Sequence, residues 1–270
     1  MKIRLFQVDS FATEIFKGNP AGVCVLDDDI PDDMKQNIAS EMNCSETSFI
    51  HKINNGYRIK YFTPTQEVQL CGHATLAAAH ILWEEGIEKQ DDKILFKANK
   101  EEIVVSNCDT WIKMGFPKDT LEECELPIDI EKALGSSQGI IKIMKSKIGW
   151  YLIEVENENI VQQAKPDFNE LLLKKTILIV TCQSVNSDYD FASRFFAPHV
   201  GINEDPVTGY AHTTLGEYWN NKLGKNDLIG YQLSRRKGFV RVLVENTRNQ
   251  ILGKAKTVFE IKIVGTPSMA

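Results

Sequence analysis

The chain has 270 residues, enough for one large domain or two of ordinary size, and its 43% hydrophobic and 25% charged residues predict a globular protein with a substantial core. Its formal net charge of −6 argues against broad nucleic-acid binding, and no apolar run is long enough to span a bilayer. Six cysteines (Cys24, Cys44, Cys71, Cys108, Cys124 and Cys182) stand apart with no CxxC pair, which points to a reducing cytoplasm rather than a disulfide framework.

Leu5 to Asp9 and Ala21 to Leu26 read as strands joined across the turn residues Gly18-Asn19-Pro20. The segment opening at Met1 carries no long apolar region and reads as a first strand rather than a signal peptide. Pro31 to Met42 predicts a helix whose early aspartates favour the positive end of the dipole. Thr47 to His51 and Tyr57 to Phe62 are β-rich around the hairpin signal Asn54-Asn55-Gly56. His73 to Glu85 is a helix of a different kind. Its alanines, with Leu76, Ile81, Leu82 and Trp83, leave almost no polar face, so a curved sheet of short strands is expected to wrap it. Those strands include Lys93 to Phe96, Ile103 to Ser106 and Trp111 to Phe116.

The second half repeats this order more loosely. Ile177 to Cys182 and Phe191 to Phe196 are strand-like, Gly209 to Asn221 is helical, and strands follow at Tyr231 to Ser234, Phe239 to Glu245 and Thr257 to Val264. Phe116 to Pro127 is charged and proline-bearing, which places a boundary there: a first lobe over 1–116, with the final strand at about 257–264 packing with it, and a second over 117–256. The order lacks the regular alternation of a doubly wound sheet, and no GxGxxG or P-loop pattern supports a nucleotide-dependent mechanism.

A local pattern occurs once in each half. Tyr61-Phe62-Thr63-Pro64 is followed by six residues and Cys71-Gly72-His73-Ala74; Phe195-Phe196-Ala197-Pro198 is followed by six residues and Asp205, with Gly209-Tyr210-Ala211-His212 shortly after. Counted from the proline, Asp205 takes the place of Cys71. A duplicated strand, loop and helix start suggests two similar lobes that bring two helix N-termini to one cleft, suited to a small anion.

Within these segments Glu46 is a candidate general base, since a carboxylate in a desolvated cleft has its pKa raised; a solvated edge glutamate is the alternative. Cys71-Gly72-His73 combines a glycine that lets the backbone approach a ligand with a possible proton shuttle and an acidified thiol. A core thiol and a backbone-bonded histidine are the bland readings of the same residues. Asp205 reads either as a turn cap or as an acid/base group facing Glu46 and His73. No metal site is expected, because Cys71 and His73 have no partner pair at zinc-ligand spacing and His51, His80, His199 and His212 form no motif. Ser234-Arg235-Arg236-Lys237-Gly238 reads as a solvated turn between strands, with an anion-binding role as the alternative.

Taken in order, Asp9-Ser10-Phe11, Phe16-Lys17-Gly18-Asn19-Pro20-Ala21, Glu41-Met42-Asn43-Cys44-Ser45-Glu46-Thr47, Phe62-Thr63-Pro64, Leu70-Cys71-Gly72-His73-Ala74-Thr75 and Glu204-Asp205-Pro206-Val207-Thr208-Gly209 resemble the phenazine-biosynthesis PhzF-like family, within the diaminopimelate epimerase-like fold. The resemblance covers nearly the whole chain. It implies an α/β (α+β) fold of two similar lobes, each a curled, mostly antiparallel sheet around a central helix, with the site between the lobes. It also implies a homodimer and a cofactor-free isomerase or epimerase acting on a small carboxylate-bearing substrate, with Glu46, His73 and Asp205 catalytic. Asn19, Cys71, Gly72, Gly209 and Tyr210 would bind substrate. The related epimerases use two cysteines; Cys71 matches the first, and Asp205 stands where the second is expected. Two departures are Tyr210, where the family commonly has serine, and Arg236-Lys237-Gly238 in place of Arg-Gly-Gly, so phenazine chemistry is not assigned. The rival expectations are a non-catalytic metabolite-binding protein and a hydrolase using Cys71 with His73.

Overall fold

The computed structural model describes residues 3–99 and 101–264. The chain divides into two compact units, Met1–Gly115 with Gly253–Ala270, and Phe116–Leu252.

The first unit is built on β1 (Ile3–Ser10), β2 (Asn19–Leu26), β3 (Glu46–Ile53), β4 (Gly56–Phe62), β5 (Glu67–Val68), β6 (Ile94–Lys97), β7 (Glu102–Cys108) and β8 (Trp111–Pro117), with helices α1 (Asp32–Met42) and α2 (Gly72–Glu84). The late strand Ala255–Ile261 pairs antiparallel with β1, and β1 with β2. Strands β2 and β3 run parallel across α1, β3 and β4 antiparallel, β4 and β6 parallel across α2, and β6 and β7 antiparallel. A parallel step needs a crossover, and each helix supplies one. The curled sheet meets α2 along β1, β2, β3 and the late strand. Ten of the helix's thirteen residues are buried, as its lack of a polar face requires. Strand backbone comes close to Leu76 of this helix: a Cβ on Gly253 would sit 2.6 Å from Leu76 Cδ1 and 2.4 Å from Phe11 Cδ1. On the other face α1 covers Leu5, Cys24, Leu26, Phe49 and Phe62 with Met34 and Ala39.

The second unit contains β9 (Leu121–Glu123), α3 (Ile130–Leu134), β10 (Ile140–Ser146), β11 (Tyr151–Val155), α4 (Glu158–Gln163), α5 (Phe168–Leu173), β12 (Leu178–Gln183), β13 (Phe191–Ala197), β14 (Ile202–Glu204), α6 (Ala211–Leu223), β15 (Asp227–Gln232), β16 (Gly238–Val244) and β17 (Arg248–Gly253). Its pairing repeats that of the first unit: β10–β11 antiparallel, β11–β12 parallel across α4 and α5, β12–β13 antiparallel, β13–β15 parallel across α6, β15–β16 antiparallel. Helix α6 takes the place of α2 but keeps only eight of thirteen residues buried. There Gly216 makes the close approach, since a Cβ would lie 2.6 Å from Val242 Cγ1.

Three sequence expectations shift. The second buried helix begins at Ala211, not Gly209, because Thr208 to Tyr210 is held as a turn with His212 N–H donating to Gly209 O. The strand expected at Tyr231 to Ser234 ends at Gln232, and Ser234 turns the chain by accepting from Lys237 N–H. The last strand ends at Ile261 rather than reaching Val264.

Leu76 is fully buried at the centre of α2. Leu76→Ala is expected to cost about 2–5 kcal/mol, through lost transfer energy and the cavity left behind. Urea denaturation of the two proteins checks it; a change under about 0.5 kcal/mol, the surface range, would mean that α2 is not the core of its unit.

Candidate active site

In the first unit the sheet places its functional residues at strand starts. Asn19 begins β2 and Glu46 begins the parallel neighbour β3, where Glu46 stands opposite Ala21. Cys71 is the extended residue immediately before α2, and His73 lies in that helix's first turn. Residues from three distant segments therefore meet.

His73 Nε2 lies 3.3 Å from Glu46 Oε2, while Nδ1 lies 3.4 Å from Asn19 Nδ2 and 3.4 Å from Cys71 Sγ. Ser45 Oγ donates to Asn19 Oδ1 at 3.5 Å, which assigns the Asn19 amide nitrogen to the histidine. Nδ1 is then the acceptor of the ring and Nε2–H the donor toward Glu46. Burial pushes the His73 imidazole down to about 4. With the ring neutral at neutral pH, the 3.3 Å approach of Nε2 to Glu46 Oε2 is not a contact with an imidazolium.

The backbone around His73 is equally fixed. Ser10 Oγ donates to His73 O at 2.7 Å, and Thr75 Oγ1 donates to Cys71 O at 2.7 Å while sharing a hydrogen bond with Tyr61 Oη. The first intrahelical bond is Thr75 N–H to Cys71 O, and no side chain caps the start. The N–H groups of Gly72, His73 and Ala74 have no carbonyl within the helix, the usual setting for a carboxylate. The nearness of Cys71 to His73 also bears on thiol chemistry, which spacing alone left doubtful.

In the second unit Asp205 follows β14. Its carboxylate accepts from Thr208 Oγ1 at 2.5 Å. Gln232 braces the same loop from both ends: Nε2 donates to Asp205 O at 2.7 Å, and Oε1 accepts from Thr208 N–H at 2.9 Å. Ser234 Oγ donates to Pro206 O at 2.6 Å, so the basic turn after β15 is tied to the Asp205 loop. His212 Nδ1 bonds Thr208 O at 2.9 Å, burial pushes that imidazole down to about 4, and its Nε2 is buried with no hydrogen-bond partner. Tyr210 packs edge-on to Phe116 and Trp150 at 5.7 and 5.6 Å between ring centres. Gln232 and His212 were not singled out for a role from the sequence.

The strand register corrects the duplicated pattern. Phe62 pairs with Glu67 and Phe196 with Glu204, so Glu67 and Glu204 correspond. From there the two copies run without a gap to Gly72 and Gly209, which puts Thr208, not Asp205, in the place of Cys71, and Tyr210 in the place of His73. The carbonyls agree, since Cys71 O accepts from Thr75 Oγ1 and Thr208 O from His212. Counting from the proline failed because the second turn is longer, carrying the 3-10 turn Pro198–Val200.

Glu46, Cys71 and His73 also carry the donor atoms a metal would need, all within 4.8 Å of one another. Among the described residues no helix is long and apolar enough to cross a membrane.

The fold, two units each with a curled sheet around a central helix, is an epimerase fold. A predicted epimerase from Pseudomonas aeruginosa shares it at TM-score 0.71 and 17% identity, over 98% of this chain and 100% of that one. More narrowly, the phenazine biosynthesis-like (PhzC-PhzF) family model matches residues 8–261, and the chain belongs to that family. An uncharacterized isomerase of Halalkalibacterium halodurans is 41% identical over 266 residues, 98% of this chain and 99% of its own. A PhzF-family phenazine biosynthesis protein of Enterococcus faecalis superposes with a TM-score of 0.90 at 35% identity, over 97% of this chain and 100% of that one.

The buried imidazoles give a pH dependence. His73 and His212 have folded values near 4 against 6.5 for a free imidazole, and burial lowers His80 as well. Below pH 6.5 the unfolded chain protonates His73 and His212, which the folded chain holds neutral down to about 4. Their contribution is therefore fully present above pH 6.5 and is lost as pH falls toward 4. Urea denaturation across this window is expected to show stability rising with pH, with His73→Gln lowering the slope by close to one proton. An unchanged slope in that variant would mean that His73 is not held neutral.

Proposed function

We propose that this protein is a cofactor-independent isomerase or epimerase that moves a proton at carbon on a small carboxylate-bearing metabolite. The observation that carries the reading is the 3.3 Å approach of a buried, neutral His73 to Glu46 beside an uncapped helix start. The isomerase name of the Halalkalibacterium halodurans relative supports the reaction class.

Glu46 is the carbon base. The N–H groups at the start of α2, with Gly72 allowing close backbone approach, hold the substrate carboxylate. As the proton leaves carbon, charge spreads into that carboxylate, where these donors stabilise it. His73 fixes the reacting carboxylate of Glu46 and supports its proton transfer, with Asn19 holding the ring. Asp205 supplies the second acid/base group in this reading, kept in one rotamer by Thr208. A second reading rests on the 3.4 Å approach of Cys71 Sγ to His73 Nδ1, which would suit a thiol nucleophile.

Incubation in D₂O with pools of small amino acids and unsaturated acids, followed by mass spectrometry, tests the proposal. Enzyme-dependent deuterium at carbon is expected, with Glu46→Gln slower by roughly 10²–10⁴-fold, the usual contribution of a general base. Cys71→Ser is expected to retain exchange. Near-parental exchange in Glu46→Gln would overturn the role of Glu46, and loss confined to Cys71→Ser would favour the thiol reading.

A further inference from the structure

Gln232 is the last residue of β15, paired in the sheet with Ser193 on one side and Gly238 on the other, and it is 1% exposed. A buried amide has to be satisfied, and an apolar residue would fill the same place in the strand without that demand. What the amide does is bond the Asp205 loop at both ends. Nε2 donates to Asp205 O at 2.7 Å, and Oε1 accepts from Thr208 N–H at 2.9 Å. A main-chain carbonyl only accepts and a main-chain N–H only donates, so these contacts fix which amide atom is nitrogen.

The same nitrogen donates to Thr208 Oγ1 at 3.5 Å, and that hydroxyl donates to Asp205 Oδ2 at 2.5 Å. The hydroxyl therefore accepts from the amide and gives its own proton to the carboxylate. Other elements hold the remaining main-chain groups of the loop. Asp205 N–H donates to Phe195 O at 3.1 Å, Pro206 O accepts from Ser234 Oγ at 2.6 Å, and Thr208 O accepts from His212 at 2.9 Å. Gln232 differs from these in joining the two ends through one planar group, so the amide sets the distance between Asp205 O and Thr208 N–H.

We propose that Gln232 is the positioning residue of Asp205: it closes residues 205–208 into a ring and delivers the Thr208 hydroxyl to Oδ2, so that the carboxylate is held in one orientation. Gln232 acts through Asp205 and not on the substrate. The bracing follows from the hydrogen bonds themselves, whereas its catalytic consequence rests on the isomerase reading, in which Asp205 is the second acid/base group. Misplacement of such a group by about 1 Å costs on the order of 100-fold in rate. A shift of that size is within reach of a four-residue loop that has lost the bridge between its ends.

Two variants of the full-length protein test it, Gln232→Leu and Gln232→Glu, with circular dichroism to establish that each is folded. Hydrogen exchange of the Thr208 amide, followed by NMR, reads the brace without any substrate. Gln232→Leu is expected to speed that exchange at least about tenfold, because a buried donor loses its partner. On whichever small amino acid or unsaturated acid the parent labels in D₂O, the same variant is expected to lose roughly 10–100-fold in kcat, with KM changed less than about threefold. In Gln232→Glu the introduced carboxyl group keeps the bond from Thr208 N–H but donates to Asp205 O only while protonated, a state that burial favours. Its rate relative to the parent is therefore expected to rise as pH is lowered from about 8 to about 5.5, which a merely structural defect would not produce. Unchanged Thr208 exchange or parental kcat in Gln232→Leu, or a loss in Gln232→Glu that is independent of pH, would each overturn the assignment. A parent that labels no carbon in any pool counts against the isomerase reading, and the amide exchange still decides the brace.

Discussion

The site in the first unit depends on one contact, the 3.3 Å approach of a buried, neutral His73 ring to the Glu46 carboxyl group. His73 is neutral because burial penalises its charged form, and Nε2–H faces Glu46 because Asn19 occupies the other nitrogen. Each partner then has a fixed task. The ring cannot wander, since its main chain is held by Ser10 and its helix begins one residue earlier. Glu46 cannot drift, since it is the first residue of a strand paired on both sides. Preorganisation of this kind lets a weak base act on a carbon acid without solvent having to rearrange first.

The two units carry one topology with different contents at matching positions. Around α2 the helix start presents a thiol and an imidazole; around α6 the matching positions hold Thr208 and Tyr210. In the second unit the polar residues brace an Asp205 loop, closed by Thr208 and pinned by Gln232, Ser234 and His212. The same scaffold thus yields a buried, nearly dry cluster in one unit and a braced carboxylate loop in the other. The wholly apolar α2 and the half-polar α6 follow the same division.

Much of this was legible in the sequence. A helix without a polar face could only be a buried one, and the alternating runs about Asn54-Asn55-Gly56 could only pair as a hairpin. The segments carrying Glu46, Cys71-Gly72-His73 and Asp205 were visible as chemistry-bearing, and their order pointed to the family. What failed was register. A turn of different length shifts every residue after it, so counting from proline matched Asp205 to Cys71, whereas sheet pairing matches Thr208. The stretch from β9 to α5 also went unread, although Asp129, Asn157 and Asp167 each cap a short helix there with a side-chain oxygen. Long-range partners such as Gln232 leave no local signal, since an isolated glutamine in a strand has no spacing to betray its role.

The account rests on the protonation of His73, which nitrogen-15 NMR of the histidine rings reads directly. At neutral pH the account predicts a neutral His73 ring with its proton on Nε2 and an unprotonated Nδ1, unchanged as the pH is lowered to 5.5, with Glu46→Gln leaving the ring neutral. An imidazolium at neutral pH, or a proton resident on Nδ1 facing Asn19, would contradict it.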